Sequence, residues 1–118
     1  MTDLVACISA GEKSRAHVAR LINGMEWNNI FLITDGNGKE NFKPDKQANF
    51  IVVDFQKPVF ELIEDIIKGL KGKITGLEVA LNLVSGSGKE HMAILSALLK
   101  LGVGIRLMAV TKEGIREL

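Results

Sequence analysis

Residues 78–110, EVALNLVSGSGKEHMAILSALLKLGVGIRLMAV, decide the fold of this chain. Residues 78–84 and 105–110 form short apolar runs, which predict two strands. Residues 90–101 between them carry the apolar pattern of a helix. The strands are almost continuously apolar, which is typical of parallel strands that helices cover on both faces. The stretch therefore predicts a strand–helix–strand unit with a right-handed crossover.

The same kind of strand occurs three more times before this unit, separated by two helical patterns. Helical periodicity predicts a first helix that ends near Gly24 and a second that begins after Pro58. Residues 35–49 are polar and lack helical periodicity, so they predict a loop or a short irregular crossover. The three further strands are predicted over residues 4–8, 30–34 and 50–55.

This alternation of strands and helices predicts the fold class. We expect an α/β fold with a Rossmann-like, doubly wound, mostly parallel five-stranded sheet, strand order 3-2-1-4-5, and helices on both faces. Residues 1–118 are interpreted as a single nucleotide-binding domain, because 118 residues lie near the commonest domain size. Residues 111–118, after the last predicted strand, could equally begin a linker.

The composition excludes several classes of protein. Apolar residues make up 47% of the chain and charged residues 25%, as in a globular protein rather than a disordered one. The net charge of +1 gives no general attraction for nucleic acid, so we expect no binding of long nucleic acids. The sequence carries neither an apolar run of membrane-spanning length nor an export signal, and we expect a cytoplasmic protein that does not bind membranes.

Cysteine and histidine are too sparse for a metal centre. Cys7 is the only cysteine, and it lies in an apolar run, where burial is expected rather than reactivity. His17 and His91 have neither cysteine companions nor metalloprotease spacing, and we interpret them as isolated histidines on helix faces. We therefore predict neither a metal ion nor a bound cofactor.

The helix predicted at residues 90–101 is apolar on nearly all sides. Its apolar residues are Met92, Ala93, Ile94, Leu95, Ala97, Leu98, Leu99 and Leu101. Such a helix has to be buried on two sides. Contact with a second copy of the chain is our preferred explanation, and a deeply buried helix in a monomer is the alternative.

Two loops of similar composition follow the first and fourth predicted strands. The carboxyl ends of these strands are neighbours at the switch point of the predicted sheet, where ligands bind in this architecture. Glycines let backbone N–H groups approach a phosphate, hydroxyls donate hydrogen bonds, and lysines neutralise charge. Ordinary turns with surface lysines are the alternative for either loop alone. The predicted ligand-binding residues are Ser9, Ala10, Gly11, Lys13, Ser14, Asp35, Ser85, Gly86, Ser87, Gly88 and Lys89.

Two common nucleotide-binding motifs do not fit these loops. A P-loop requires a glycine five residues before its Gly-Lys pair, where this chain has Leu83, and Ser or Thr after the lysine, where it has Glu90. A dinucleotide fingerprint requires three glycines after the first strand, and only Gly11 is present. Asp35, at the end of the second strand, is placed as a ribose-binding acid would be, but by itself it supports NAD binding only weakly.

Residues 81–92, LNLVSGSGKEHM, together with the apolar helix and strand that follow, resemble the CRISPR-associated Rossmann fold (CARF) domains of antiviral defence. In that family the fourth strand commonly ends in Asn-x-Ser/Thr-Gly-Gly-Thr-Lys-x-Met. A small loop that opens with serine follows the first strand, as at Ser9 here. The chain departs from the pattern at Gly88, where the family has threonine, and at Met92, which lies three rather than two residues beyond the lysine.

The resemblance implies a twofold homodimer that binds cyclic oligoadenylate in the groove across its axis, with residues 90–101 as our predicted dimer contact. Some relatives also cleave the ring without a metal, as ring nucleases, when the ribose 2′-hydroxyl attacks the adjacent phosphorus. By position, Ser9 would orient that hydroxyl and Lys89 would stabilise the phosphoryl charge, so these are the predicted catalytic residues. The alternatives are a module for another nucleotide or small phosphate ligand, and a non-enzymatic protein-interaction subunit.

Overall fold

A six-stranded sheet organises the computed structural model, which describes residues 2–118. The strand order is β3-β2-β1-β4-β5-β6, and neighbouring strands are parallel except β5 and β6. The strands are β1 (Asp3–Cys7), β2 (Ile30–Thr34), β3 (Asn49–Val52), β4 (Glu78–Asn82), β5 (Gly104–Thr111) and β6 (Gly114–Glu117). The helices are α1 (Glu12–Gly24), α2 (Gly36–Asn41), α3 (Val59–Leu70) and α4 (Gly88–Leu101). The predicted α/β fold and its 3-2-1-4-5 order are confirmed, and a sixth strand extends one edge.

Helices cover the sheet in two layers, and each layer has its own apolar core. Successive side chains of a strand point to opposite faces. Val5 and Cys7 of β1 belong to the cluster beneath α3 and α4. Leu4 and Ala6 of the same strand belong to the cluster beneath α1. Because both faces of β1 and β2 are buried, their sequences are apolar except at Asp3 and Thr34 at the strand ends.

A short helix, α2, occupies part of the region that the sequence predicted to be a loop or irregular crossover. The Asp35 carboxylate caps α2 by accepting a hydrogen bond from the Gly38 N–H at 2.8 Å. Gly38 is buried against Thr34, and a Cβ at this position would collide with the Thr34 hydroxyl. The prediction was wrong because close packing, rather than helix propensity, stabilises a helix that contains two glycines.

The carboxyl-terminal residues form a strand rather than the beginning of a linker. The Thr111 hydroxyl accepts a hydrogen bond from the Glu113 N–H at 3.1 Å and donates one to the Gly114 carbonyl at 2.8 Å. These bonds close a tight turn, in which Gly114 adopts a φ of +99° that favours glycine. β6 then pairs with β5, and its Ile115 packs against α1 at Gly24. Residues 111–118 therefore continue the sheet.

Helix α4 begins two residues before the predicted start, at Gly88. Ser87 and Glu90 form a capping box in which the Ser87 N–H donates to Glu90 Oε1 at 2.8 Å and Ser87 Oγ accepts from the Glu90 N–H at 3.5 Å. Gly88 and Lys89 consequently belong to the first turn of a helix. Their backbone N–H groups lie at the positive end of the helix dipole.

The outward face of α4 is apolar. Met92 is 69% exposed and Leu99 is 68% exposed, with Leu95 and Ser96 half-buried on the same side. The opposite face packs into the core through Ala93, Ile94, Ala97 and Leu98. The alternative of a helix deeply buried within one chain is therefore wrong. None of the helices in residues 2–118, α4 included, is long and apolar enough to cross a bilayer.

Candidate functional site

The loops that follow β1 and β4 meet at the carboxyl edge of the sheet. The two strands are parallel neighbours, with Ala6 paired to Asn82 near their ends. The Ser9 N–H donates a hydrogen bond to Ser85 Oγ at 2.9 Å, which joins the loops directly. Helices α1 and α4 then leave from this point into opposite layers. The geometry is that of a switch-point crevice, the usual ligand site of doubly wound sheets.

Four of the predicted ligand-binding side chains hold the crevice in shape. Ser85 is completely buried, so its hydroxyl joins the loops from beneath. Ser14 Oγ donates to the Gly11 carbonyl at 3.0 Å and thereby fixes the start of α1. Ser87 caps α4 and Asp35 caps α2, as described above. Direct contact of these four residues with a ligand stays a prediction, whereas their structural roles are evident.

The groups that remain open at the crevice are backbone amides and the charged side chains of Lys13 and Glu12. Ala10, Gly11 and Gly88 are exposed at the first turns of α1 and α4. Gly11 has a φ of +112° and no side chain caps α1, so the helix presents its first N–H groups outward. Lys13 is exposed in the same turn and carries positive charge. Two helix ends and an ammonium group at one edge favour an anion.

Lys89 lies beside the crevice, and its ammonium group is hydrogen-bonded to a backbone carbonyl of another loop. Its ammonium group donates a hydrogen bond to the Phe55 carbonyl, between β3 and α3, at 3.0 Å. The residue is exposed, and a lysine side chain rotates at little cost. To contact a phosphate held near Ser9, the ammonium would exchange one carbonyl acceptor for a phosphoryl oxygen. The phosphoryl oxygen is the stronger acceptor of the two, because it is negatively charged and the Phe55 carbonyl is neutral.

Gly86 is the tightest point of the β4–α4 loop. Its φ of +108° favours glycine, and a Cβ here would lie 2.8 Å from Cys7 Sγ and 3.0 Å from His91 Nε2. The His91 ring donates from Nε2 to the Ser85 carbonyl at 2.8 Å, so it supports the loop from below. No motif indicates this contact, and the sequence analysis interpreted His91 only as an isolated histidine on a helix face. The loop is therefore held in one conformation by groups beneath it.

Cys7, beneath Gly86, is unsuited to covalent chemistry. Burial, together with the smaller effect of the negative charges of Glu90 and Asp35, raises the pKa of its thiol to about 12. A thiol with such a pKa is protonated at neutral pH, and the thiolate is the reactive form. The residue is buried as the sequence predicted, and it serves as packing below the crevice.

Arg15 is a site residue that the sequence analysis missed. Its Nε donates to the Ser9 carbonyl at 2.7 Å, and the side chain is half-buried. The Ser9 backbone is thus fixed on both sides, by Ser85 through its N–H and by Arg15 through its carbonyl. A guanidinium has five N–H donors, so this bond leaves others available. Only its place in the first turns of a helix after the serine loop could have indicated such a role.

Asn82 and His17 form a second support that the sequence analysis missed. Asn82 is 1% exposed, and its Nδ2 donates to the Met108 carbonyl at 2.8 Å and contacts His17 Nε2 at 3.1 Å. His17 Nε2 also accepts a hydrogen bond from the Val110 N–H at 3.3 Å, so this nitrogen carries no proton. Burial, and to a smaller extent Arg20, lower the pKa of His17 and keep it in this neutral form. The network ties β4, β5 and α1 together below the crevice.

No known family model matches the chain, and no curated protein is similar to it. The interpretation of the crevice therefore depends on its own geometry and chemistry. In the part of the chain that the structure describes, no three His, Cys, Asp or Glu side chains are grouped so that they could share a metal ion.

Proposed function

We propose that this protein is a homodimeric nucleotide sensor that binds cyclic oligoadenylate at the crevice between β1 and β4. The observation that carries the proposal is the hydrogen bond from the Ser9 N–H to Ser85 Oγ, which brings two helix N-termini to one edge of the sheet. The resemblance of residues 81–92 to CARF domains supports the choice of ligand. A fold alone does not define a ligand, so the chemistry of the crevice has to carry it.

Phosphodiesters fit the open groups of the crevice. Each linkage in a cyclic oligoadenylate carries one negative charge and two oxygens that accept hydrogen bonds. The exposed amides of Gly11 and Gly88 offer donors, and the exposed Lys13 of the same helix start as Gly11 offers a cation. The net charge of +1 adds little long-range attraction, so binding would be local and selective rather than a general affinity for polyanions.

The outward face of α4 supports a dimer. Met92, Leu95 and Leu99 line a groove of about 410 Å³ on the surface of one chain. Two copies of the same face could bury each other in an isologous contact, which is the commonest form of oligomer. Because α4 starts at the crevice, a dimer whose twofold axis runs between two parallel copies of this helix would place the crevices of the two chains side by side. A cyclic ligand with an even number of identical units has the same twofold symmetry.

Calorimetric titration tests the proposed ligand. Binding of cyclic tetra-adenylate or cyclic hexa-adenylate should give a heat signal, and we expect this signal to saturate at one ring per two chains. Linear oligoadenylate and NAD serve as controls and should bind at least about tenfold more weakly, a difference of about 1.4 kcal/mol. Absence of binding by both rings would overturn the proposal, and stronger binding of NAD would indicate a dinucleotide module instead.

The dimer has its own test. Leu99→Asp places a charge in the apolar face and should convert a dimer to a monomer in sedimentation velocity measurements. Leu77→Asp is the matched control, because Leu77 is 93% exposed just before β4 and does not line the groove on α4. This variant should remain a dimer. A wild-type protein that is monomeric at high micromolar concentration, or a dimer that survives Leu99→Asp, would contradict the proposed interface.

Cleavage of the ring is the enzymatic extension of the proposal. The ribose 2′-oxygen would form a bond to the adjacent phosphorus while the bond from that phosphorus to the 5′-oxygen breaks. The 2′-hydroxyl proton ends on the 5′-oxygen, so the product carries a 2′,3′-cyclic phosphate and a 5′-hydroxyl. Ser9 would orient the attacking hydroxyl, and Lys89 would leave the Phe55 carbonyl to stabilise charge on the phosphoryl oxygens.

Chromatography of the incubated ring tests this extension. Lys89→Ala should reduce the cleavage rate about 100-fold, as expected for loss of one group that stabilises transition-state charge. Lys68→Ala, which removes an exposed lysine of α3, is the control and should cleave at the wild-type rate. Equal rates for the two variants would remove Lys89 from the mechanism, and an intact ring with wild-type protein would restrict the function to sensing.

A further inference from the structure

A second pocket lies between α1 and α2, beside the crevice. Its volume is about 500 Å³, which is ample for a nucleobase with its ribose. Ala16 and Ala19 of α1 form an apolar wall, and Phe42, just after α2, contributes an aromatic ring that is 7% exposed. Asn37 and Asn41 of α2 bring amide groups to the opposite side. The pocket therefore combines apolar walls with neutral hydrogen-bonding groups.

Arg15 connects this pocket to the crevice. It lines the pocket, and the same side chain donates to the Ser9 carbonyl at 2.7 Å. Ser9 is in turn joined to Ser85 at the floor of the crevice. If a phosphate of a nucleotide binds at the crevice, the ribose and base attached to that phosphate would be within reach of the pocket. The two sites are neighbours in one continuous surface.

The charges in the pocket select for a neutral group. Glu12 and Arg15 both line it, so their charges largely offset each other. A planar, uncharged ring that carries hydrogen-bonding edges fits best. The guanidinium plane of Arg15 is a surface on which a base can stack, and Phe42 adds the small apolar surface that it leaves exposed. A lipid tail would leave the two asparagines without partners, and an acidic peptide would face Glu12.

We propose that the pocket between α1 and α2 is a nucleobase site and that it reads adenine. This inference rests on the proposed binding of cyclic oligoadenylate, and it assigns the residues that distinguish adenine from other bases. Asn41 uses Nδ2 to donate to the Asn37 carbonyl at 2.8 Å, which leaves its Oδ1 as an acceptor. An asparagine can accept from the adenine amino group and donate to N7, an edge that uracil and hypoxanthine lack.

The test compares two rings of equal size, cyclic tetra-adenylate and its analogue with inosine in place of adenosine. Wild-type protein should bind the adenosine ring at least about tenfold more tightly, because the inosine ring cannot donate from position 6. The double variant Asn37→Ala/Asn41→Ala should bind both rings with equal affinity. Asn23→Ala, an exposed asparagine outside the pocket, is the control and should keep the wild-type preference.

A second variant tests occupancy of the pocket without removing a polar group. Ala16→Phe fills the pocket from an exposed position of α1 and should weaken cyclic tetra-adenylate binding more than about tenfold. Ala16→Ser leaves the pocket open and should bind like wild type. Thermal unfolding establishes that each variant is folded.

The outcomes separate this inference from the proposed function. A wild-type protein that binds neither ring would overturn both. Ring binding that Ala16→Phe leaves unchanged, together with equal affinity of wild-type protein for the adenosine and inosine rings, would overturn the adenine site and leave the crevice as the site for the phosphates.

Discussion

Asn82→Ala should lower the free energy of unfolding by about 3 kcal/mol. The buried amide makes three contacts that alanine cannot replace: Nδ2 donates to the Met108 carbonyl and contacts His17 Nε2, and Oδ1 accepts from the Val84 N–H at 3.2 Å. Loss of the side chain removes the donor to the buried Met108 carbonyl and the acceptor of the Val84 N–H, and it leaves His17 Nε2 with the Val110 N–H alone. Each unsatisfied buried polar group costs about 1–3 kcal/mol.

Urea denaturation followed by circular dichroism measures this effect. Asn23→Ala is the matched control, because the Asn23 amide donates to Asp45 Oδ2 at the exposed surface. That variant should lose less than about 0.5 kcal/mol, as is usual for surface substitutions. If the two variants were equally stable, Asn82 would not be the buried link between β4 and β5 that the structure describes.

Gly86→Ala should reduce the affinity for cyclic oligoadenylate by more than about tenfold. A residue with a Cβ is strained at φ +108°, and the new atom would meet Cys7 Sγ, Glu90 Oε1 and His91 Nε2 at 3.0 Å or less. The loop therefore has to move, and the start of α4 moves with it. Backbone strain of this kind costs about 1–3 kcal/mol, so the melting temperature should fall as well.

Gly88→Ala is the control for Gly86→Ala. Gly88 lies two residues along the same chain segment, has no left-handed φ, and a Cβ there would have no neighbour within 4 Å. Alanine in a helical turn is preferred to glycine by about 0.5–1 kcal/mol, so this variant should be at least as stable as wild type. If Gly86→Ala melted at the same temperature as Gly88→Ala, the conformation of the loop would not require glycine at position 86.

The central part of the fold is predictable because burial restricts its composition. Strands β1 and β2 are buried at every position, and their nearly continuous apolar runs predicted parallel strands beneath two layers of helices. Helix α3 has a wide apolar stripe and a proline at its start, which predicted it clearly. The order of the strands follows from right-handed crossovers once the elements are known.

The elements that were not predicted depend on contacts distant in the sequence. α2 contains two glycines and exists because Gly38 fits closely against Thr34 and Asp35 caps it. β6 has mixed exposure, so its pattern gives little periodicity. It is positioned by its turn and by the contact of Ile115 with α1. Neither feature can be read from a local pattern.

The candidate site also has features that the sequence predicts and features that it does not. Glycines, serines and lysines concentrated after two strands predicted where the crevice would be, and the hydrogen bond between Ser9 and Ser85 agrees with that convergence. The groups that shape it were not predictable. Arg15, Asn82 and His91 each make their decisive bond to a backbone carbonyl, and such a bond depends on the fold rather than on a motif.

The most direct test of the central claim is a titration of uniformly ¹⁵N-labelled protein with cyclic tetra-adenylate, followed through the backbone amide signals. If the two loops form one binding site, the largest shifts should occur together in residues 9–14 and residues 85–89 and should saturate at the same ligand concentration. Shifts confined to one of these segments, or to neither, would contradict the account.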